Sequence, residues 1–445
     1  MGGLPEQKLA ILRQMVESAP DRVVGDLRGA LSGASGDSGL VDVRLLVETE
    51  ARDRQLRNAV LHPIVPLCIG DGRTERLTFP ARALALVWRA LRDQATHEVG
   101  RAAALHEEFQ AGQSSPEPYD VLARRAAKGV RQRNHPKFAA AADLAEAARP
   151  DGARLLADCL DMIPILRTAV GRLPEWIQRV TDEDTAVARI AYKDTVDISE
   201  DAGPRFFEML GAHLPQSWMI LRLISAIMDR PPETYLAGSE LADFGLRVLD
   251  SIDAGLAQVE DFDTSGGMAA VRSVAAAIDG VTAQIAELEG NIELTRQGPW
   301  GGRLVRQKAT LARVVEARLR EIDKAVRKVL PTTQVRIGRT TRDAALLTQA
   351  PAAAHVQIAK TLVAFGQEVR GAANHGGFAA ARTKVMEELE AHLDAFAEDA
   401  LDHLKQGDAP DPAIARALLS ETADLLAIAR DRQSAETLRR RLAAV

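Results

Sequence analysis

Seven apolar residues, Val271, Val274, Ile278, Val281, Ile285, Leu288 and Ile292, recur three and four positions apart without a miss. That spacing holds one stripe of a helix toward a partner through three heptads, and neither a strand nor a loop has a use for it. A stripe of this length has to be covered, so neighbouring segments are expected to be helical as well. Gly298-Pro299-Trp300-Gly301-Gly302 then interrupts the pattern with residues that break a helix and permit a reversal. A second long helix is predicted over Arg303–Leu330, with Leu304, Leu311, Val315, Ile322 and Val329 on one face. Lys308 and Arg318 interrupt that seam, and Pro331 stops the helix. Two long helices around a five-residue break are expected to close into an antiparallel αα-hairpin over 266–331.

Composition extends the expectation to the whole chain. With 46% hydrophobic residues among 445, the protein can bury a core, yet only 4% are aromatic. Sheets draw on aromatic and β-branched residues, whereas Ala, Leu, Arg and Glu favour helix. The expected fold class is therefore all-α: a multi-helical array or bundle with a long antiparallel coiled-coil hairpin and at most one short β-hairpin near the N-terminus. Punctuation suggests four segments. Residues 1–118 form an N-terminal helical unit, with a short β-hairpin at 64–79 around the turn Gly70-Asp71-Gly72. Residues 119–265 form a central helical array, 266–331 the hairpin, and 332–445 a C-terminal helical bundle. Within these, Gly152–Val170, Glu175–Tyr192, Thr340–Leu347 and Phe378–Leu404 all read as helices. No self-similar period marks a solenoid.

The formal net charge of −6 provides no global field for nucleic acid or anionic lipid. Cys68 and Cys159 lie in apolar settings without metal or disulfide spacing, so they read as buried free thiols of a reducing compartment. The first ten residues carry Glu6 and Lys8 and lack the apolar run of a secretory signal. Glu6 also stands where a myristoylation signal needs Ser or Thr. No apolar stretch approaches the ~20 residues of a membrane span. A cytoplasmic protein is expected.

Two constellations could carry chemistry or binding. On 303–328, nine basic residues stand against Glu316, Glu321 and Asp323. This local positive excess could attract a phosphate backbone or an anionic membrane surface. Its bland alternative is pairing with neighbouring acids such as Glu260, Glu287 and Glu289, and no aromatic side chain interleaves with the arginines to stack bases. Arg306, Arg313, Arg320, Lys324 and Trp300 are the candidate interaction surface. His392, Asp399 and His403, with Glu388 one turn earlier, share one face of a single helix, as in helical metal sites. A second Glu-x-x-His is missing, so no metal, cofactor or catalytic residue is assigned. The remaining histidines have no nucleophile at signature spacing.

The leading functional expectation is a non-catalytic cytoplasmic scaffold or adaptor that binds protein partners through helix faces and the coiled-coil hairpin. Self-association through the 271–292 seam belongs to that reading. The alternatives are a polyanion-binding regulator using 303–328, and a helical enzyme or metal-binding protein with a site near His392, Asp399 and His403.

Overall fold

A computed structural model describes residues 5–33, 38–74, 76–108, 117–199, 201–337 and 340–445. The fold is all-α, and the β structure among the described residues is one two-stranded antiparallel sheet. The chain falls into two compact units, Met1–Asp229 and Arg230–Val445. The sequence punctuation at 119 and 266 therefore marks joints inside units, because the helices on either side of each joint pack together.

The first unit comprises α1 (Glu6–Ser18), α2 (Asp21–Leu31), α3 (Ser38–Val60), α4 (Ala81–Gln94), α5 (Thr96–Glu108), α6 (Glu117–Gln132), α7 (Pro136–Ala148), α8 (Gly152–Gln178), α9 (Asp182–Val196), α10 (Ala202–Gly211) and α11 (Ile220–Met228). Its hub is α8, which packs against α6, α7, α9 and α10. Leu156, Ala157, Leu160, Met162, Ile163 and Leu166 are all buried, so α8 is apolar around most of its circumference, as a central helix must be. That wrapping explains a departure from the sequence reading. Gly171 and Pro174 suggest a break, yet α8 runs through Pro164 and Pro174, each of which removes one ladder hydrogen bond. The break comes later, where Thr181 and Asp184 form a capping box that starts α9. Trp88, Trp176, Trp218, Phe206 and Phe207 all fall in the first half of the chain and are expected in its core; all are buried in this unit except Trp218, which is half-buried.

The expected β-hairpin at 64–79 is not formed. His62–Leu67 is a 3₁₀ turn containing Pro63 and Pro66, and one isolated backbone bridge joins Cys68 to Phe79. Proline at 66 has no N–H to give a ladder. The sheet lies elsewhere: β1 (Thr332–Ile337) pairs with β2 (Thr340–Ala345), with Ile337 opposite Thr340. The predicted helix Thr340–Leu347 is therefore wrong. Its β-branched run and the Gly338-Arg339 pair were the available signal.

The second unit continues with α12 (Glu233–Ala237), α13 (Ala242–Glu260), α14 (Gly267–Asn291), α15 (Pro299–Val329), α16 (Ala353–Glu368), α17 (Ala379–Gln406), α18 (Pro412–Ala429) and α19 (Arg432–Ala443). The seven seam residues, six on α14 and Ile292 just past its end, are all buried, at 3% exposure or less. Their cover is not the expected one. α14 and α15 barely touch; α13 and α16 each lie against both, so α14 and α15 sit across the diagonal of a four-helix ring. A second ring is built from α15, α16, α18 and α17, sharing the α15–α16 edge. The coiled-coil hairpin is thus replaced by two fused bundles. With its stripe sealed by α13 and α16, α14 offers no free seam for self-association. Shared by both rings, α16 buries Ala359 and every residue from Thr361 to Gly366. The imperfect seam of α15 has the same cause. This helix faces several neighbours, and Gln307, Val314, Leu319 and Val326 broaden its buried surface beyond one stripe.

The Gly-Pro-Trp-Gly-Gly break is built around a carboxylate. Glu233 is fully buried and accepts from Thr295 N at 2.7 Å, Thr295 Oγ1 at 2.6 Å, Trp300 N at 3.0 Å and Gly301 N at 2.8 Å. It closes the N-terminus of α15, where unpaired amides and the helix dipole favour an anion. A Cβ on Gly298 would stand 1.7 Å from Glu233 Oε1, so only glycine fits there. Burial pushes the Glu233 carboxyl up, but hydrogen bonds from Thr295 and from the Gly301 and Trp300 amides outweigh it and hold it below the ordinary glutamate value.

Candidate protein-docking groove

The first unit carries an open groove of about 1110 Å³ walled by α1, α3 and α5, with Arg92 at the end of α4. A small separate core, Val16, Val24, Val47 and Ala51, holds α1 and α2 on α3. Arg54 of α3 supplies the polar anchor. It is buried and donates to Val16 O at 3.0 Å and Ala19 O at 2.9 Å, satisfying carbonyls at the C-terminus of α1. The same guanidinium reaches Asp21 at 2.8 Å and Glu50 at 2.7 Å, which fixes the start of α2 and neutralises the buried charge. Asp53 accepts from Trp88 Nε1 and Arg92 Nη1, both at 3.0 Å, tying α3 to α4. At the far end, His106 Nδ1 lies 3.1 Å from Tyr119 Oη and ties α5 to α6.

The surface over this frame is unusually apolar. Leu45 lines the groove with 66% of its surface exposed; Ile11 and Met15 of α1, 60% and 62% exposed, lie outside its lining, on the other face of that helix. Val41 adds a further exposed side chain on α3. The apolar lining of the groove itself is Leu9, Leu45, Leu46, Leu56 and Val99, an open apolar concavity of the kind that serves as a contact surface. Among the charged lining residues, Glu50 and Asp53 are held as described, and Glu17 lies 3.9 Å from Arg89. Arg13 and Arg52 also line the groove, are exposed, and have no ion-pair partner among the described residues. Sequence reading missed this site because its three walls lie far apart in the chain. The available signal was Leu45, an apolar residue left over beside buried Val47 and partly buried Val43.

The residues singled out from sequence fall elsewhere. Trp300 is not a surface residue: it is 2% exposed, and a Cβ on Gly245 of α13 would meet its ring at 2.5 Å. Arg313 pairs with Glu260 at 3.2 Å and Arg320 with Glu316 at 2.9 Å. Arg303 bridges Asp250 and Asp253, Lys308 reaches Glu289 at 2.6 Å, Arg318 reaches Glu321 at 3.1 Å, and Arg327 reaches Asp323 at 2.7 Å. Six of the nine basic residues are thus matched within their own unit. Arg306, Lys324 and Lys328 form no ion pair within 4 Å among the described residues, although Arg306 is close enough to Asp253 to help lower its pKa.

The histidine face of α17 converges only in part: His403 Nε2 lies 4.0 Å from Asp399, but His392 stands apart. His392 and Asp399 are separated by seven residues, about 10 Å along a helix. Asp399 accepts from Ala345 N of β2 at 2.7 Å, while His403 Nδ1 turns to Asp408 at 2.8 Å. His392 lines a separate cleft of about 490 Å³ with Asp323, Arg327, Asp343 and Glu388. Burial, together with the neighbouring Arg327, lowers its pKa and keeps the ring neutral. Among the described residues no three metal-ligating side chains come together. Cys68 and Cys159 are free thiols, and burial pushes Cys68 up to about 12 and raises Cys159 as well, so neither is poised as a nucleophile. Among the described residues no helix is long and apolar enough to cross a membrane.

No protein-family model, curated protein or solved structure matches this chain.

Proposed function

We propose that the protein is a non-catalytic, cytoplasmic helical adaptor whose docking face is the α1–α3–α5 groove. The observation that carries this reading is the apolar lining of the groove, Leu9, Leu45, Leu46 and Val99 with Leu45 66% exposed, on a frame held by buried Arg54. The reading keeps the adaptor role expected from sequence and moves its surface away from α14 and α15. The α14 seam is sealed and most α15 charges are matched, which removes the motive for docking there. The polyanion alternative is left with Arg306, Lys324 and Lys328, too few for a strong counterion-release contribution. Free, unactivated thiols support a reducing compartment.

Co-purification from native extract tests the proposal when the intact chain is compared with Leu45→Glu. Leu45 is mostly exposed, so the substitution leaves the fold intact while placing a charge in the groove. Partners retained by the intact chain should be lost from the variant. Identical partners on both would place docking elsewhere.

A further inference from the structure

Resting on the docking reading above, we infer that the groove takes an amphipathic helix of a partner protein that carries acidic residues beside its apolar stripe. The first argument is the nature of the walls. α1, α3 and α5 are helices whose backbone groups are bonded internally, so the groove presents no free strand edge for an extended peptide to extend. Side-chain packing is the mode left, and a helix laid into an apolar groove is the form it takes.

Size agrees. The lining of α3 runs from Asp42 to Leu56, about 21 Å at ~1.5 Å per residue, and that of α5 from Thr96 to His106, about 15 Å. A helix of roughly 10–14 residues, three to four turns, matches that length. Gly100 and Ala103 keep the α5 wall low, so the docked backbone can approach while Leu45 and Val99 meet its apolar face.

Charge then selects among amphipathic helices. The acids of the groove are engaged: Glu50 by Arg54, Asp53 by Arg92 and Trp88, Glu17 by Arg89, and Asp42 likewise is not free. The unmatched charges are the cations Arg13 and Arg52, one on each of two walls. A basic helix would meet them as like charges, and an acidic one as partners.

Fluorescence anisotropy on the full chain tests this with two designed 14-residue helices sharing one leucine stripe, flanked by glutamate in one and by lysine in the other. The glutamate peptide should bind at least tenfold more tightly, with the advantage shrinking between 50 and 300 mM salt. Arg13→Glu combined with Arg52→Glu should reverse the preference, and Leu45→Glu should weaken both peptides. Equal or tighter binding of the lysine peptide, or a preference unchanged in the double variant, overturns the inference. If that happens while Leu45→Glu still loses its co-purified partners, the groove remains a docking site and only the acidic character is wrong. If neither peptide binds and co-purification is also unchanged by Leu45→Glu, the docking reading falls with it.

Discussion

Replacing Glu233 with alanine should loosen the N-terminus of α15 far more than a surface substitution would. The carboxylate serves three backbone amides and one hydroxyl, and its bonds to Trp300 N and Gly301 N lie in buried surroundings. Removing it strands those two buried amides, each costing about 1–3 kcal/mol, and takes the anion from a helix N-terminus. Water entering the vacated space offsets part of this, so a net loss of about 3 kcal/mol is expected, roughly a hundredfold in the local opening equilibrium. Hydrogen exchange read by mass spectrometry on a peptide spanning 296–305 checks it, with the α6–α8 peptides of the other unit as internal control. Glu233→Gln should lose less at neutral pH because it retains one acceptor. The sign of the pH dependence follows from the lowered carboxyl pKa. Its stabilisation is present above the ordinary glutamate value of 4.5 and is lost as pH falls through the lower folded value. The gap between the intact chain and Glu233→Gln should therefore narrow on acidification below about pH 4. Protection of 296–305 within threefold of the intact chain in Glu233→Ala would refute the assignment of Glu233 as the cap.

Three further outcomes are expected. Gly245→Ala places a Cβ 2.5 Å from the Trp300 ring, so it should destabilise by about 1–3 kcal/mol and shift the tryptophan emission to the red. Arg54→Met removes the donors at the end of α1 and the contact with Asp21, and should cost residues 6–31 about a hundredfold in exchange protection while α6–α8 stay unchanged. With Cys68 pushed up to about 12 and Cys159 raised too, both thiols should resist a disulfide reagent at pH 8 in the native protein and react within minutes in denaturant.

What sequence made legible was periodicity, and what it hid was partnership. The Val271–Ile292 stripe announces a helix with one covered face, and all seven residues are indeed buried. Nothing in three-and-four spacing says which helix supplies the cover, and two non-adjacent ones, α13 and α16, do. The same limit applies to charge. The basic run on α15 is plain in sequence, but Asp250, Asp253 and Glu260, which match part of it, belong to α13 more than forty residues earlier. Thr340–Leu347 reads as a helix because Thr-Thr-Arg-Asp-Ala-Ala-Leu-Leu also suits one. Pairing with β1 and the Ala345 N–Asp399 bond settle it as strand. Glu233 was invisible for a related reason: its four donors lie more than sixty residues away. The groove shares that difficulty, since α1, α3 and α5 meet only in the folded unit.

The measurement closest to the central claim is photo-crosslinking in cells from two positions, Thr49 in the groove and Lys324 on the exposed face of α15. A benzophenone side chain at Thr49 should capture partner protein, and Leu45→Glu in the same chain should abolish the adduct, while Lys324 gives none. Adducts from Lys324 with none from Thr49, or a Thr49 adduct indifferent to Leu45→Glu, would contradict the assignment of the α1–α3–α5 groove as the docking face.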